Sequence, residues 1–161
     1  MNINTIGGGP GGLYASLLLK KTHPNWDVTV YEQNPPDITY GWGIVFPDRA
    51  LSNLADADRP SHDAITEAAA EWEPFDIHYE GERYRCGGHG FASMMRTDLL
   101  RVLQERCREV GVELQFETEV DDPEALAAES DLCLVADGIY SDTRERYADK
   151  FGTDVVEGSM P

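Results

Sequence analysis

The chain has 161 residues, the length of one ordinary domain, and its 41% hydrophobic and 27% charged residues are typical of a globular protein. The chain has 13 Lys and Arg residues and 30 Asp and Glu residues, which gives a net charge of −17. Because this charge repels phosphate backbones and anionic lipids, no nucleic-acid or membrane partner is expected. No apolar run approaches the roughly 20 residues of a membrane span, and no basic segment precedes the first apolar residues. We therefore expect a cytoplasmic protein.

The cations are mostly arginine, since only Lys20, Lys21 and Lys150 are lysines. An acidic, lysine-poor surface is compatible with a salt-rich cytoplasm, where screening weakens the self-repulsion of the charges. The composition therefore suggests the hypothesis of a salt-rich habitat, which predicts that molar KCl stabilises the folded chain against unfolding.

Residues that bind metals or form nucleophiles are scattered. Cys86, Cys107 and Cys133 share no short spacing, and the four histidines form no HxH or HxxxH pair, so neither a disulfide framework nor a metal site is predicted. Cys107 and Cys133 fit better as small buried apolar residues. The chain also has no GxSxG, HExxH or P-loop pattern. We predict no catalytic side chain here, and the chemistry then belongs to a bound cofactor.

The first 32 residues predict a compact βαβ unit. Asn2–Ile6 is a short strand, and the glycine-rich run Gly7–Gly12 follows it directly. Leu13–Lys21 has the apolar spacing of a helix, and the β-branched run Asp27–Glu32 is a second strand that ends in an acid.

Further elements follow in chain order. After a proline-rich loop and the aromatic and glycine-rich run Tyr40–Phe46, we predict a helix opened by Pro47 and another that is capped by Ser61 and ends near Trp72. The remaining predicted elements are a hairpin of Phe75–Tyr79 with Arg83–Cys86, a helix from Thr97 to Gly111, a strand Val112–Phe116, a helix Pro123–Ala128, a strand Asp131–Ala136 and a helix Ser141–Tyr147.

This alternation predicts an α/β fold, a Rossmann-like domain with a mostly parallel sheet. Residues from about 37 to 92 interrupt the alternation, and we interpret them as an inserted helical and hairpin segment of a single domain spanning 1–161.

The glycine pattern at the start has the spacing of a dinucleotide-binding turn. Gly7 suits the tight turn after the strand, Gly9 lets a pyrophosphate approach the backbone, and Gly12 lets the helix pack close to the sheet. Glu32 lies 20 residues after Gly12, where a carboxylate can accept hydrogen bonds from ribose hydroxyls. The pattern does not distinguish NAD from FAD, and the charge of Glu32 disfavours the 2′-phosphate of NADP.

A second candidate group follows the last predicted strand. Asp137 and Gly138 emerge at the carboxyl edge of the sheet, where ligands of open α/β sheets collect, although the aspartate could instead cap the next helix. Arg96, ahead of its helix, could reach a phosphate or remain a surface arginine. Trp42 could line an aromatic pocket or pack on the sheet, and His89 could contact substrate or be an ordinary loop residue.

Together these motifs resemble those of the FAD-dependent aromatic hydroxylases, the single-component flavin monooxygenases of the 4-hydroxybenzoate hydroxylase type. The resemblance rests on the glycine motif with Glu32, on Arg96-x-x-Leu99 and on Asp137-Gly138. Two loops, Tyr40–Phe46 and Gly87–Ala92, look most like those of the branch that acts on aryl-CoA thioesters.

The resemblance implies an enzyme in which NADH or NADPH reduces FAD, and the reduced flavin and dioxygen then hydroxylate an aromatic substrate. The implied FAD contacts are Gly7, Gly9, Pro10, Gly11 and Gly12 at the pyrophosphate, Glu32 at the adenosine ribose, Arg96 along the FAD chain, Val120 near the adenine, and Asp137 with Gly138 at the pyrophosphate and the nicotinamide approach. The implied substrate contacts are Trp42 and His89. Because such enzymes are about twice this length, the chain is expected to be an N-terminal portion, from a truncated or split gene or an incomplete sequence.

Two other functional classes stay open. One is an FAD-dependent reductase or dehydrogenase built on the same domain, and the other is a non-catalytic dinucleotide-binding module. Among hydroxylase substrates, a free aromatic acid or an indole compound could replace the CoA thioester. Oligomeric state is not predicted.

Overall fold

A computed structural model describes residues 1–36, 38–39 and 41–152, so Tyr40 of the aromatic and glycine-rich run lies outside the described residues. Its strands are β1 (Asn2–Ile6), β2 (Asp27–Tyr31), β3 (Gly43–Pro47), β4 (Ala70–Trp72), β5 (Phe75–Tyr79), β6 (Glu82–Cys86), β7 (Phe91–Met95), β8 (Glu113–Gln115) and β9 (Leu132–Val135). Its helices are α1 (Pro10–Thr22), α2 (Asp48–Ala57), α3 (Arg59–Ala68), α4 (Arg96–Val110), α5 (Pro123–Ala128), α6 (Asp142–Arg146) and α7 (Ala148–Phe151).

The first sheet is parallel, with strand order β8-β2-β1-β9. β1 lies inside it, and Ile3 is in register with Val28 on β2 and with Leu132 on β9. The carboxyl ends of β1, β2 and β9 therefore meet at one edge, directly before Gly7, Glu32 and Ala136 in the sequence. This arrangement confirms the predicted α/β class with a parallel sheet.

Both faces of β1 are covered. On one face Thr5 Oγ1 lies 2.8 Å from Ser16 Oγ of α1, and on the other Asn4 Nδ2 donates to Ser130 Oγ at 2.7 Å. Successive strand residues point to opposite faces, so these two polar contacts secure a buried strand from both sides. A strand buried in this way is typical of parallel sheets.

The main core lies between the sheet and the helices α1 and α4. Its buried apolar side chains include Ile3, Leu13, Leu17, Val28, Val30, Ile65, Leu99, Leu100, Leu103, Cys107 and Val112. Burial raises the pKa of the Cys107 thiol to about 12, which agrees with the prediction of a buried apolar residue.

α4 ends, as predicted, at Gly111, whose φ of 89° favours glycine. Within the described ranges, no helix is both long and apolar enough to cross a membrane.

The segment between β2 and α4 forms antiparallel structure. β3, β7 and β4 make a second sheet in the order β3-β7-β4, and β5 and β6 make the predicted hairpin. The strands β3, β4 and β7 were not predicted, and the helix predicted to reach Trp72 ends at Ala68 instead. Ala70–Trp72 pairs with β7, some twenty residues further along the chain, and this pairing overrides the local helical pattern.

Two predicted helix caps are wrong. Asp58, rather than Ser61, caps α3, and its carboxylate accepts the Ser61 N–H at 3.1 Å. α4 begins one residue before Thr97, because β7 runs straight into it and Met95, the last strand residue, occupies the cap position without a side-chain hydrogen bond.

A buried ion cluster ties three helices together. Asp58, with no exposed surface, accepts hydrogen bonds from Arg106 Nε and Nη2 of α4 at 2.9 and 3.1 Å, and Lys21 Nζ of α1 lies 3.0 Å from its Oδ1. Burial alone would raise the pKa of the Asp58 carboxyl, but the hydrogen bonds from Arg106, Lys21 and Ser61 hold it well below its ordinary range. The carboxylate is therefore charged and fully used in holding the helices.

Candidate cofactor-binding site

The turn between β1 and α1 is sterically restricted to glycine at two of its predicted positions. Gly7 has a φ of 102°, and a Cβ there would collide with the carbonyl oxygen of Ala136. A Cβ on Gly12 would collide with the carbonyl oxygen of Gly7. These glycines let the turn, the start of α1 and the end of β9 pack against one another.

Gly9 and Gly11 differ from these two, because a Cβ on either would meet nothing within 4 Å. The protein's own packing therefore does not require glycine at these positions. The space beside the Gly9 backbone is open, as a turn that receives a bulky ligand requires. A dinucleotide fits this part of the chain.

The N-terminus of α1 is free of side-chain caps. Its cap residue is Gly9, Pro10 occupies the first helical position, and the first turn holds no acidic residue. The first-turn N–H groups of a helix have no partner inside the helix, and the helix dipole makes this end attractive to anions. The N–H groups of Gly11 and Gly12 thus have no partner within the helix, and this end of α1 has the character of an anion-binding site that needs no lysine.

Glu32 is fixed beside this turn by three hydrogen bonds. Its Oε2 accepts the Gly8 N–H at 2.7 Å, and its Oε1 accepts the backbone N–H and side-chain Nδ2 of Asn34 at 2.8 and 2.7 Å. A carboxylate has about four acceptor positions, so one remains free for a further hydrogen-bond donor.

The motif did not single out Gly8, the residue between the first two patterned glycines. A Cβ there would lie 2.8 Å from the Glu32 Cβ, so glycine at this position is what brings the carboxylate against the turn. The sequence contained one signal for Gly8: the run Gly7–Gly9 has a third glycine that the dinucleotide-binding pattern does not require.

Asp137 and Gly138 follow β9 and face the glycine turn. The Ala136 N–H donates to the Ile6 carbonyl at 2.8 Å, which joins the ends of β9 and β1. Ser141, rather than Asp137, caps α6, since its Oγ accepts the Arg144 N–H at 2.9 Å. The cap explanation for Asp137 is therefore wrong, and its carboxylate stays available at the sheet edge.

One cleft of about 350 Å³ runs along this edge. The predicted contacts that line it are Gly7, Gly9, Glu32, Arg96, Val120, Asp137 and Gly138. Pro10, Gly11 and Gly12 form the helix start just behind this lining. Arg96 begins α4, and its Nε donates to Thr39 Oγ1 at 3.1 Å across the cleft wall.

Trp42 and His89 do not lie together. Trp42 is 89% exposed and stands beside the cleft, because its carbonyl accepts the Arg96 N–H at 3.3 Å. His89 is exposed beyond the opposite end of the second sheet, where Pro47 pairs with Phe91. The five residues of β3 separate the two ends by roughly 16 Å.

A wider hollow of about 850 Å³ adjoins the cleft. Asp137 and Gly138 line both spaces, and the hollow continues along β9 past Cys133 to Lys150 and Phe151. Among the described residues, no group of three or more His, Cys, Asp or Glu side chains is placed to hold a metal ion.

No family model matches the chain, whereas several curated proteins are similar to most of it. The salicyloyl-CoA 5-hydroxylase of Streptomyces sp is 42% identical over 152 residues, which cover 94% of this chain and 29% of that protein. The 3-hydroxy-4-methyl-anthranilyl-[aryl-carrier protein] 5-monooxygenase of Streptosporangium sibiricum is 32% identical over 157 residues, which cover 98% of this chain and 44% of that protein. The chain thus spans less than half the length of either relative.

Solved structures share the fold. A PqsL variant of P. aeruginosa superposes with a TM-score of 0.73 at 20% identity, over 100% of this chain and 48% of that one. CtdE in complex with FAD and a substrate gives a TM-score of 0.68 at 18% identity, over 91% and 40% of the two chains.

The fold and the glycine turn define a Rossmann-like, dinucleotide-binding class of α/β domain. Within that class, the chain is similar over nearly its whole length to a hydroxylase and a monooxygenase that act on aromatic thioesters by their names, which confirms the resemblance of its motifs to those of aromatic hydroxylases.

Proposed function

We propose that the chain is the FAD-binding part of an NAD(P)H-dependent flavoprotein monooxygenase that hydroxylates an aromatic substrate, with aryl-CoA thioesters as the substrate class. The observation that carries the proposal is the cleft in which the glycine turn, Glu32 and Asp137 meet, in a homologue of a salicyloyl-CoA hydroxylase. When bound, the flavin supplies the redox chemistry between NADH or NADPH, dioxygen and the ring.

The start of α1 binds the pyrophosphate in this proposal. Gly11 and Gly12 donate backbone N–H groups, and the open space at Gly9 admits the phosphates. This mode of binding relies on the helix dipole, which explains how a chain of net charge −17 can hold an anionic cofactor.

The other contacts follow the length of the cleft. Glu32 accepts a hydroxyl of the adenosine ribose with its remaining acceptor position, and the backbone at Val120 lies by the adenine. Arg96 lies along the FAD chain, and Asp137 with Gly138 separates the pyrophosphate from the adjoining hollow, where the nicotinamide donor approaches.

The segment from about 37 to 92 contributes to the substrate side. Trp42 presents an exposed indole beside Arg96, and Val45 and Met95 on the second sheet are further exposed apolar side chains. His89 lies at the far end of that sheet. Only an elongated substrate, such as an aryl thioester with a long carrier, would reach both Trp42 and His89.

The substitution Gly9→Val tests the pyrophosphate position, because its side chain would fill the open space without disturbing the packing of the turn. We expect the variant to fold normally and to lose FAD binding, measured by flavin fluorescence and absorbance in a titration. Gly87→Val is the matched control, since Gly87 also has room for a side chain and lies outside the cleft. Unchanged FAD affinity in Gly9→Val would place the cofactor elsewhere.

A further inference from the structure

α4 turns a row of three residues towards the cleft. Arg96, Leu100 and Gln104 all line it, and their spacing of four residues places them on one face of the helix. Gln104 lies about 12 Å from Arg96 along the helix axis. No sequence motif includes Gln104.

Gln104 is a polar side chain in a nearly buried position, with 5% of its surface exposed. Burying an amide costs free energy unless it is hydrogen-bonded, and Gln104 Nε2 meets this requirement by donating to the Pro36 carbonyl at 2.9 Å. Its Oε1 accepts no hydrogen bond from the described residues. Among the described residues, the side-chain polar atoms that are both inaccessible and without a hydrogen-bond partner are Tyr14 Oη and Arg144 Nε. Gln104 Oε1 also has no partner but does not belong to this group, so it is accessible. Since Gln104 lines the cleft, its Oε1 opens on the cleft.

The partner of Gln104 belongs to the loop that walls the cleft. Pro36 and Thr39 are held against α4 by Gln104 and Arg96, and Asn34 is held by the Glu32 carboxylate. The loop is thereby fixed at three points along its length. The hydrogen bond from Gln104 Nε2 to the Pro36 carbonyl therefore both orients the Gln104 amide, with its Oε1 acceptor, and holds the loop that forms the cleft wall.

We propose that Gln104 is a further cofactor-contacting residue, whose Oε1 accepts a hydrogen bond from a sugar hydroxyl of the bound dinucleotide. Phosphate oxygens cannot donate a hydrogen bond, whereas the ribose and ribityl hydroxyls can, so a neutral acceptor in this cleft suits the sugar portions of the ligand better than its pyrophosphate. The inference rests on the proposed function and adds to it a contact on α4 beyond Arg96.

The test replaces Gln104 by methionine, which keeps the length and helix propensity of the side chain and removes both polar atoms. Gln115→Met on β8 is the control, since Gln115 is also partly buried and lies outside the cleft lining. Dissociation constants are measured for FAD, ADP and FMN, together with the unfolding temperature of each ligand-free protein.

We expect Gln104→Met to weaken FAD binding about tenfold, the effect of one lost hydrogen bond, while Gln115→Met leaves it unchanged. A loss of affinity for ADP but not FMN assigns the donor to the adenosine half of the cofactor, and a loss for FMN but not ADP assigns it to the flavin half with its ribityl chain.

Two results would overturn the contact. One is a folded Gln104→Met protein whose FAD affinity stays within about twofold of the original. The other is an equal loss for ADP and FMN with a lowered unfolding temperature, which would leave Gln104 as a support of the loop only. If the unmodified chain binds no FAD, the proposed function itself fails, and this outcome is separate from both.

Discussion

Individual glycines in the first turn serve two different purposes. Gly7, Gly8 and Gly12 are required by packing, since a Cβ at each would meet the Ala136 backbone, the Glu32 side chain or the Gly7 carbonyl. Gly9 and Gly11 have open space around them. The same residue type therefore maintains the fold at three positions and leaves room for a ligand at the others.

The substitution Gly12→Ala tests the packing role. We expect it to lower the free energy of unfolding by about 1–3 kcal/mol, because the new methyl group would collide with the Gly7 carbonyl in a tightly packed turn. Urea denaturation followed by circular dichroism measures this change. Gly11→Ala, one residue earlier on α1, should leave stability unchanged or slightly higher, since alanine is the better helix former. Equal stability of both variants would refute the steric explanation.

The glycine pattern and the carboxylate at the end of β2 were predictable at residue level because both follow from a spacing. Gly8 and Gln104 were not, since their importance depends on Glu32 and Pro36, which approach them only in the folded chain. The proximity of Trp42 to the cleft, and the separation of His89 from it, likewise depend on the pairing of β3 with β7.

Among the elements, β1, which opens the predicted βαβ unit, and α5, much later in the chain, match their predicted bounds at both ends. Their boundaries are set by local signals, a glycine turn after Ile6 and a proline at the start of α5. The second sheet was missed because β3 and β7 lack an alternating apolar pattern and β4 has only three residues. Their stability comes from pairing between distant segments, and single-sequence periodicity does not report that.

The junction of α1, α3 and α4 depends on Asp58, and Asp58→Asn should lower the free energy of unfolding at pH 7 by about 3 kcal/mol, because Arg106 and Lys21 would lose their buried partner. Chemical denaturation at a series of pH values measures this difference. Asp63→Asn is the control, since the ion pair of Asp63 with Arg59 is exposed and contributes little.

The sign of the pH dependence follows from the lowered pKa of Asp58. Its contribution to stability is complete above the ordinary carboxyl pKa of 3.8 and is lost as pH falls from there towards the lower pKa of the folded state. The stability difference between the original chain and Asp58→Asn should therefore shrink below about pH 4. A difference that stays constant down to pH 2 would show that Asp58 does not act through its charge.

At the scale of the whole molecule, the acidic charge extends into the cleft. Its lining carries five carboxylates, Glu32, Glu119, Asp121, Asp137 and Asp142, against two guanidinium groups, Arg96 and Arg146. Arg146 is already paired with Glu124 at 3.2 Å. An anionic ligand entering this cleft meets net repulsion, which dissolved salt screens.

FAD affinity should therefore increase as KCl is raised to molar concentration, the reverse of the usual behaviour of phosphate ligands bound by basic side chains. Fluorescence titrations at several KCl concentrations measure the slope. The double variant Glu119→Gln with Asp121→Asn should bind FAD more tightly at low salt and respond less to KCl. A steady loss of affinity with salt in the original chain would mean that cationic side chains dominate binding.

The most direct test of the central claim, that the glycine turn and its cleft hold FAD, is a ¹H–¹⁵N correlation spectrum of the chain titrated with FAD. If they do, the amides of Gly9, Gly11 and Gly12 will show saturable shifts, and the hairpin amide of Gly81 will stay unchanged. Saturable shifts centred on the β5–β6 hairpin, or no shifts in a folded chain, would contradict the claim.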